Sequence, residues 1–142
     1  MGQIEGRVAI VTGAAVGIGR ATARRLAREG AAVALADVDE QGATAVAREL
    51  IAAGHTAIAI QTDVANRDDV AALVREAEVR LGPIDVLVNN AGIGGKAAPL
   101  EEQTDDDWDR MLAINLKSIY LCCQAVVPGM KARGYGRIVN VA

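Results

Sequence analysis

The residues able to do chemistry in this chain sit where short apolar runs end. The run Val8–Val11 passes into Thr12-Gly13-Ala14-Ala15-Val16-Gly17-Ile18-Gly19. Glycines just after a strand let the backbone turn tightly and approach a pyrophosphate. The helix that follows offers free N–H groups and the positive end of its dipole. The spacing is Gly-x-x-x-Gly-x-Gly rather than the commoner Gly-x-Gly-x-x-Gly, and a plain flexible loop would contain the same residues. Its place in the first strand–helix unit points to cofactor binding by Gly13, Val16, Gly17, Ile18 and Gly19.

Further polar residues end the later runs. Asp37 closes the second, roughly twenty residues beyond the turn, where a carboxylate can accept from adenosine ribose hydroxyls. It would repel a 2′-phosphate, which selects NAD over NADP. No Arg or Lys directly precedes Gly17 or follows Asp37. The competing role for Asp37 or Asp39 is to cap the next helix. Asp63-Val64 closes the third run, on the ligand edge of a doubly wound sheet. Asp63 can accept from an adenine amino group or cap the helix beginning near Asn66. Asn89-Asn90-Ala91-Gly92 closes the fourth run, and Gly94 and Gly95 keep the backbone open after it. Amides and a glycine there suit a turn, and also a loop beside a ligand.

These residues need elements to hold them. Val8–Val11, Ala32–Ala36, Ala57–Ile60, Ile84–Val88 and Ile138–Val141 are continuous apolar runs, as strands buried on both faces require. Helical patterns separate them. Ile18 to Glu29 is closed by Gly30, Glu40 to Ala53 by Gly54, and Asp68 to Leu81 by Gly82-Pro83. This alternation predicts an α/β, doubly wound parallel sheet with helices on both faces. A last helix starts at Thr104, with Asp105, Asp106 and Asp107 in its positive first turn. Its apolar stripe runs through Trp108, Met111, Leu112, Leu116, Ile119, Tyr120 and Cys123. Asn115 falls on that stripe, and an amide facing a core needs a hydrogen-bond partner. Ile138–Val141 has the pattern of a central strand with no helix after it, so the chain is expected to be truncated before its remaining strands.

Composition narrows the class. Hydrophobic residues make up 51% of 142 residues, Phe is absent and aromatics are 2%. That suits one folded domain of aliphatic layers over residues 1–142 and leaves little for base stacking. A net charge of -3 points to no nucleic acid and no membrane partner. The cluster Arg20, Arg24, Arg25 and Arg28 is expected to be a solvated helix face. Cys122 and Cys123 are adjacent and lack zinc spacing, so no metal site is expected and a reducing, cytoplasmic setting fits. No signal pattern opens the chain, and no uninterrupted apolar run is long enough to span a bilayer.

Taken together, Thr12–Gly19, Asp37, Asp63-Val64, Asn89–Gly92 and Asn115 resemble the short-chain dehydrogenase/reductase family, from about Gly6 to Ala142. The resemblance implies a Rossmann fold with strand order 3-2-1-4-5 and NAD as cofactor. It implies pyrophosphate binding at the glycine segment, NAD selection at Asp37 and adenine binding at Asp63-Val64. Asn90, Ala91 and Gly92 would stabilise the sheet and border the nicotinamide ribose. Asn115 would be the catalytic Asn of an Asn-Ser-Tyr-Lys group, holding a water in a proton relay to the lysine. The implied reaction interconverts a secondary alcohol and a ketone, in a homo-oligomer (dimer or tetramer) assembled partly through the helix of Asn115. The family's serine follows the strand matched by Ile138–Val141. Tyr120 has Gln124 four residues on and Tyr135 has Val139, so neither completes Tyr-x-x-x-Lys. The chain alone is therefore expected to be inactive. The alternatives are a non-catalytic dinucleotide-binding module, half of a split enzyme, or a site for another nucleotide-like ligand such as S-adenosylmethionine.

Overall fold

A computed structural model describes residues 2–142. The strands are β1 (Val8–Thr12), β2 (Ala32–Asp37), β3 (Ala57–Gln61), β4 (Val86–Asn89) and β5 (Arg137–Asn140). The helices are α1 (Gly17–Arg28), α2 (Glu40–Ala52), α3 (Arg67–Leu81), α4 (Asp105–Leu112) and α5 (Ser118–Arg133). All strand pairings are parallel, in the order β3-β2-β1-β4-β5. This is the doubly wound order expected from the sequence.

Strand side chains alternate between two cores. Ala9 and Val11 of β1 and Val33 and Leu35 of β2 pack under α1 and α2. Ala23 and Ala27 on α1 are small enough to let that helix lie close to the sheet. Ile10, Ala34, Ile58 and Leu87 face the other way, against Val70, Leu73 and Ala77 of α3 and Leu121, Val126 and Met130 of α5. Because α1–α2 and α3–α5 cover opposite faces, a crevice opens at the carboxyl ends of β1 and β4, where the direction of winding reverses.

Every strand ends one residue away from its expected end, and two strands start elsewhere. β4 starts at Val86 rather than Ile84, because Asp85 is engaged at its foot. The Asp85 N–H donates to Val8 O at 2.9 Å, and its Oδ2 accepts from Val8 N at 3.1 Å. β5 starts at Arg137 and lies on the outer edge of the sheet, with Ile138 and Val139 exposed.

The stripe on the last helix needs correction. Trp108, Leu112, Leu116 and Tyr120 are exposed, and Ser118, Leu121, Cys122, Val126 and Met130 are the buried side. From Leu116 onward the helix is apolar nearly all round, so its period alone does not say which face the sheet takes. The helix is also not continuous α: Ala113–Lys117 form a wider π turn between α4 and α5. By length and hydropathy alone, Asp105–Arg133 could cross a bilayer, which the absence of an uninterrupted apolar run did not suggest. The buried face of α5 packs against α3 and the sheet. In that core, burial pushes the Cys122 thiol up to about 12, so it stays a protonated packing group. Cys122 and Cys123 are both free.

Leu35 is fully buried at the centre of one core. Leu35→Ala should lower unfolding free energy by about 2–5 kcal/mol, measured by urea titration followed by circular dichroism.

Candidate functional site

The crevice is a cleft of about 630 Å³, within the usual range for small-ligand sites. From the glycine turn, Gly13, Val16, Gly17 and Ile18 border it. Asp37 borders it from the end of β2, and Asp63 and Val64 from beyond β3. Asn90, Ala91 and Gly92 border it from beyond β4. Gly19 and Asn115 are not part of this lining.

Gly19 is where the first helix meets the turn. A Cβ there would run into the Gly13 carbonyl and lie 2.5 Å from Asn90 Nδ2. Gly13 has φ of 63°, and a Cβ on it would lie 2.9 Å from Ala91 Cα. The turn is therefore pressed against the loop leaving β4, and only glycine fits at both contacts.

One hydroxyl joins the two loops. Thr12 Oγ1 accepts from the N–H groups of Asn90 and Ala91, both at 3.0 Å, and donates to Val88 O at 3.4 Å. Asn90 returns the contact: its Nδ2 donates to Thr12 O and Gly13 O at 3.1 and 3.2 Å. Asn90 thus has a definite structural job, and its cleft-facing position is a second property. In the sequence Thr12 stands out only as part of the turn. A polar residue ending an apolar strand was the available signal.

Asp37 and Asp39 divide the roles that the sequence left open. Asp39 caps α2, its Oδ1 accepting from Gly42 N at 3.0 Å. Asp37 Oδ2 accepts from Ala15 N at 2.9 Å, and its Oδ1 from Asp39 N at 3.0 Å. Its carboxylate is therefore pinned across the turn and keeps a free lone pair on each oxygen. Asn66, not Asp63, caps α3, accepting from Asp68 N and Asp69 N. Asp63 Oδ1 accepts from Ala65 N at 2.9 Å.

The head of α1 is different. α2, α3 and α4 start at Asp39, Asn66 and Thr104, whose side chains accept from the first turn. α1 starts at Val16, and no side chain caps it. Its first N–H groups open into the cleft with the dipole behind them, a fitting place for a pyrophosphate.

Asn115 sits in the π turn. Its Oδ1 accepts from Ile93 N at 2.8 Å and its Nδ2 donates to Ile93 O at 2.9 Å. The partner required by its place on the helix is thus the backbone of the glycine-rich loop, not a buried group. Ile93, Ala113, Ile114 and Arg110 complete the far wall. The helical period gave no sign that Arg110 and Ile114 turn toward the cleft.

A doubly wound sheet with an uncapped glycine turn at its switch point is the arrangement of the nucleotide-binding α/β folds. The family model for short-chain dehydrogenases matches residues 7–142. The chain belongs to the short-chain dehydrogenase/reductase family. It is 52% identical to cis-4-hydroxycyclohexanecarboxylate dehydrogenase of Sinomonas cyclohexanicum over 96% of this chain and 54% of that protein. It is 40% identical to 2-dehydro-3-deoxy-L-rhamnonate dehydrogenase (NAD(+)) of Sphingomonas sp. (strain SKA58) over 99% of this chain and 55% of that one. A solved metagenomic short-chain oxidoreductase in complex with NADP superposes with a TM-score of 0.93 at 42% identity, covering 98% of this chain and 63% of its own. The chain spans about half the length of the curated relatives it matches.

Thr12→Val should cost about 1–3 kcal/mol by stranding two backbone donors, while Thr12→Ser should retain most of the stability in chemical denaturation. Gly19→Ala should cost about 1–3 kcal/mol through the clash with Gly13, read as a drop in the urea midpoint.

Proposed function

We propose that residues 1–142 are a single NAD-binding domain of an oxidoreductase that interconverts a secondary alcohol and a ketone. Family membership supports an oxidoreductase, and the relatives above are named as dehydrogenases. When bound, the nicotinamide would accept or donate hydride. The open head of α1 and the glycine turn would take the pyrophosphate, through backbone N–H groups of Val16, Gly17 and Ile18. Asp63 and Val64 would hold the adenine. Asn90, Ala91 and Gly92 would border the nicotinamide ribose. Asn115, its amide spent on Ile93, would take the relay position of the family's catalytic asparagine. A homo-oligomer in the cytoplasm fits two free cysteines and the exposed apolar residues on α4 and α5.

The observation that carries the choice of NAD is the pinned carboxylate of Asp37. Two backbone N–H groups hold it at the cleft wall, so it cannot swing away from a 2′-phosphate. A desolvated carboxylate facing a phosphate with no intervening cation is repulsive. The solved relative holds NADP, which makes the comparison of cofactors informative.

NADH should bind at least about tenfold more tightly than NADPH, a difference of roughly 1.4 kcal/mol. Fluorescence titration of the purified protein with each cofactor measures this. Equal or reversed affinities would remove the ribose role from Asp37.

A further inference from the structure

The cleft contains one cation that nothing holds. Its charged lining residues are Asp37, Asp63 and Arg110. Backbone N–H groups pin both carboxylates. Arg110 is exposed in the last turn of α4 and, among the described residues, its side chain makes no hydrogen bond or ion pair. The acid one turn earlier does not take it. Asp107 Oδ2 instead accepts from Thr104 N and Thr104 Oγ1, with Lys96 at 3.9 Å.

Its place decides what it could meet. Arg110 lies one helical turn before Ile114, and both line the cleft. Asp63 and Val64, in the loop just ahead of α3, line the same cleft. At the head of that helix Arg67 donates to Gln124 Oε1 and lies 5.7 Å over the Tyr120 ring. The head of α3 is therefore tied to α5. The glycine turn and the head of α1, which suit the pyrophosphate, belong to the β1 end instead.

We propose that Arg110 is an adenine-binding residue, its guanidinium plane laid over an adenine seated between Val64 and Ile114. This rests on reading the cleft as a dinucleotide site. A guanidinium is planar, weakly hydrated and stacks on aromatic faces. Being free of partners, Arg110 loses no protein contact when it closes over the ring. The adenine end otherwise offers apolar groups and one carboxylate, which can hold the edge of the base but not cover its face.

The test is calorimetric titration of the purified protein with NADH and with ADP-ribose, for the unaltered chain, Arg110→Ala, Arg110→Lys and Arg110→Tyr. Arg110→Ala should weaken both ligands by the same factor, about three- to thirtyfold. Arg110→Tyr should recover most of the loss, because a neutral ring still stacks. The loss should persist in high salt. Unchanged affinity in Arg110→Ala overturns the proposal. So does recovery by Arg110→Lys but not Arg110→Tyr with a loss that fades in salt, since that pattern marks a phosphate contact. Failure of the unaltered chain to bind either ligand overturns the dinucleotide reading itself, and the adenine role with it.

Discussion

The loops leaving β1 and β4 must touch without stranding their backbone polar groups, and the rest of the site depends on that joint. Thr12 Oγ1 serves two N–H groups of the β4 loop, and the Asn90 amide serves two carbonyls of the β1 turn. A buried donor or acceptor left unpaired costs about 1–3 kcal/mol, so each exchange is worth keeping. The close approach this requires leaves no room for a Cβ at Gly13 or Gly19. Once the two loops are locked, α1 leaves on one side of the sheet and the helices after β4 on the other. The cleft is the space between them.

The cleft has few cationic side chains to offer an anion. The protein carries a net charge of -3, and two of the three charged residues in the cleft lining are acids. Positive potential comes instead from the uncapped head of α1, whose N–H groups and dipole act over the first turn. The acids are pinned by backbone donors, so they present fixed acceptor positions rather than mobile charge. On the proposed reading, such a site would meet hydroxyl and amino groups by position and a diphosphate by backbone geometry. Arg110 is the exception, an exposed cation in the cleft lining.

The π turn at Ala113–Lys117 links this wall to the sheet. It changes the phase between α4 and α5, and Asn115 within it grips both backbone polar groups of Ile93. π turns cost hydrogen-bond regularity and recur at functional sites. Here the irregularity lets α5 set Leu121, Val126 and Met130 on the sheet while Arg110 and Ile114 stay turned to the cleft.

Much of the fold was legible in the chain itself. Continuous apolar runs at Val8–Val11 and Ala32–Ala36, with helices closed by Gly30 and Gly54, are local patterns, and they imply a parallel sheet covered by helices on both faces. The site segments were legible for the same reason. Gly13, Asp37, Asp63 and Asn90 all end strands, and strand ends in such a sheet converge on one edge. What each polar group bonds to was not legible. Asp39 rather than Asp37 caps α2, Asn66 rather than Asp63 caps α3, and Asn115 meets the backbone of Ile93. The outward face of α5 was misread, because a helix apolar nearly all round has no phase to reveal which side the sheet will take. Sequence by itself determined which elements form and where their polar ends gather, since period and capping act over a few residues. Tertiary structure alone decided which partners Thr12, Asn115 and Arg110 find or lack, since those depend on distances between segments far apart in the chain.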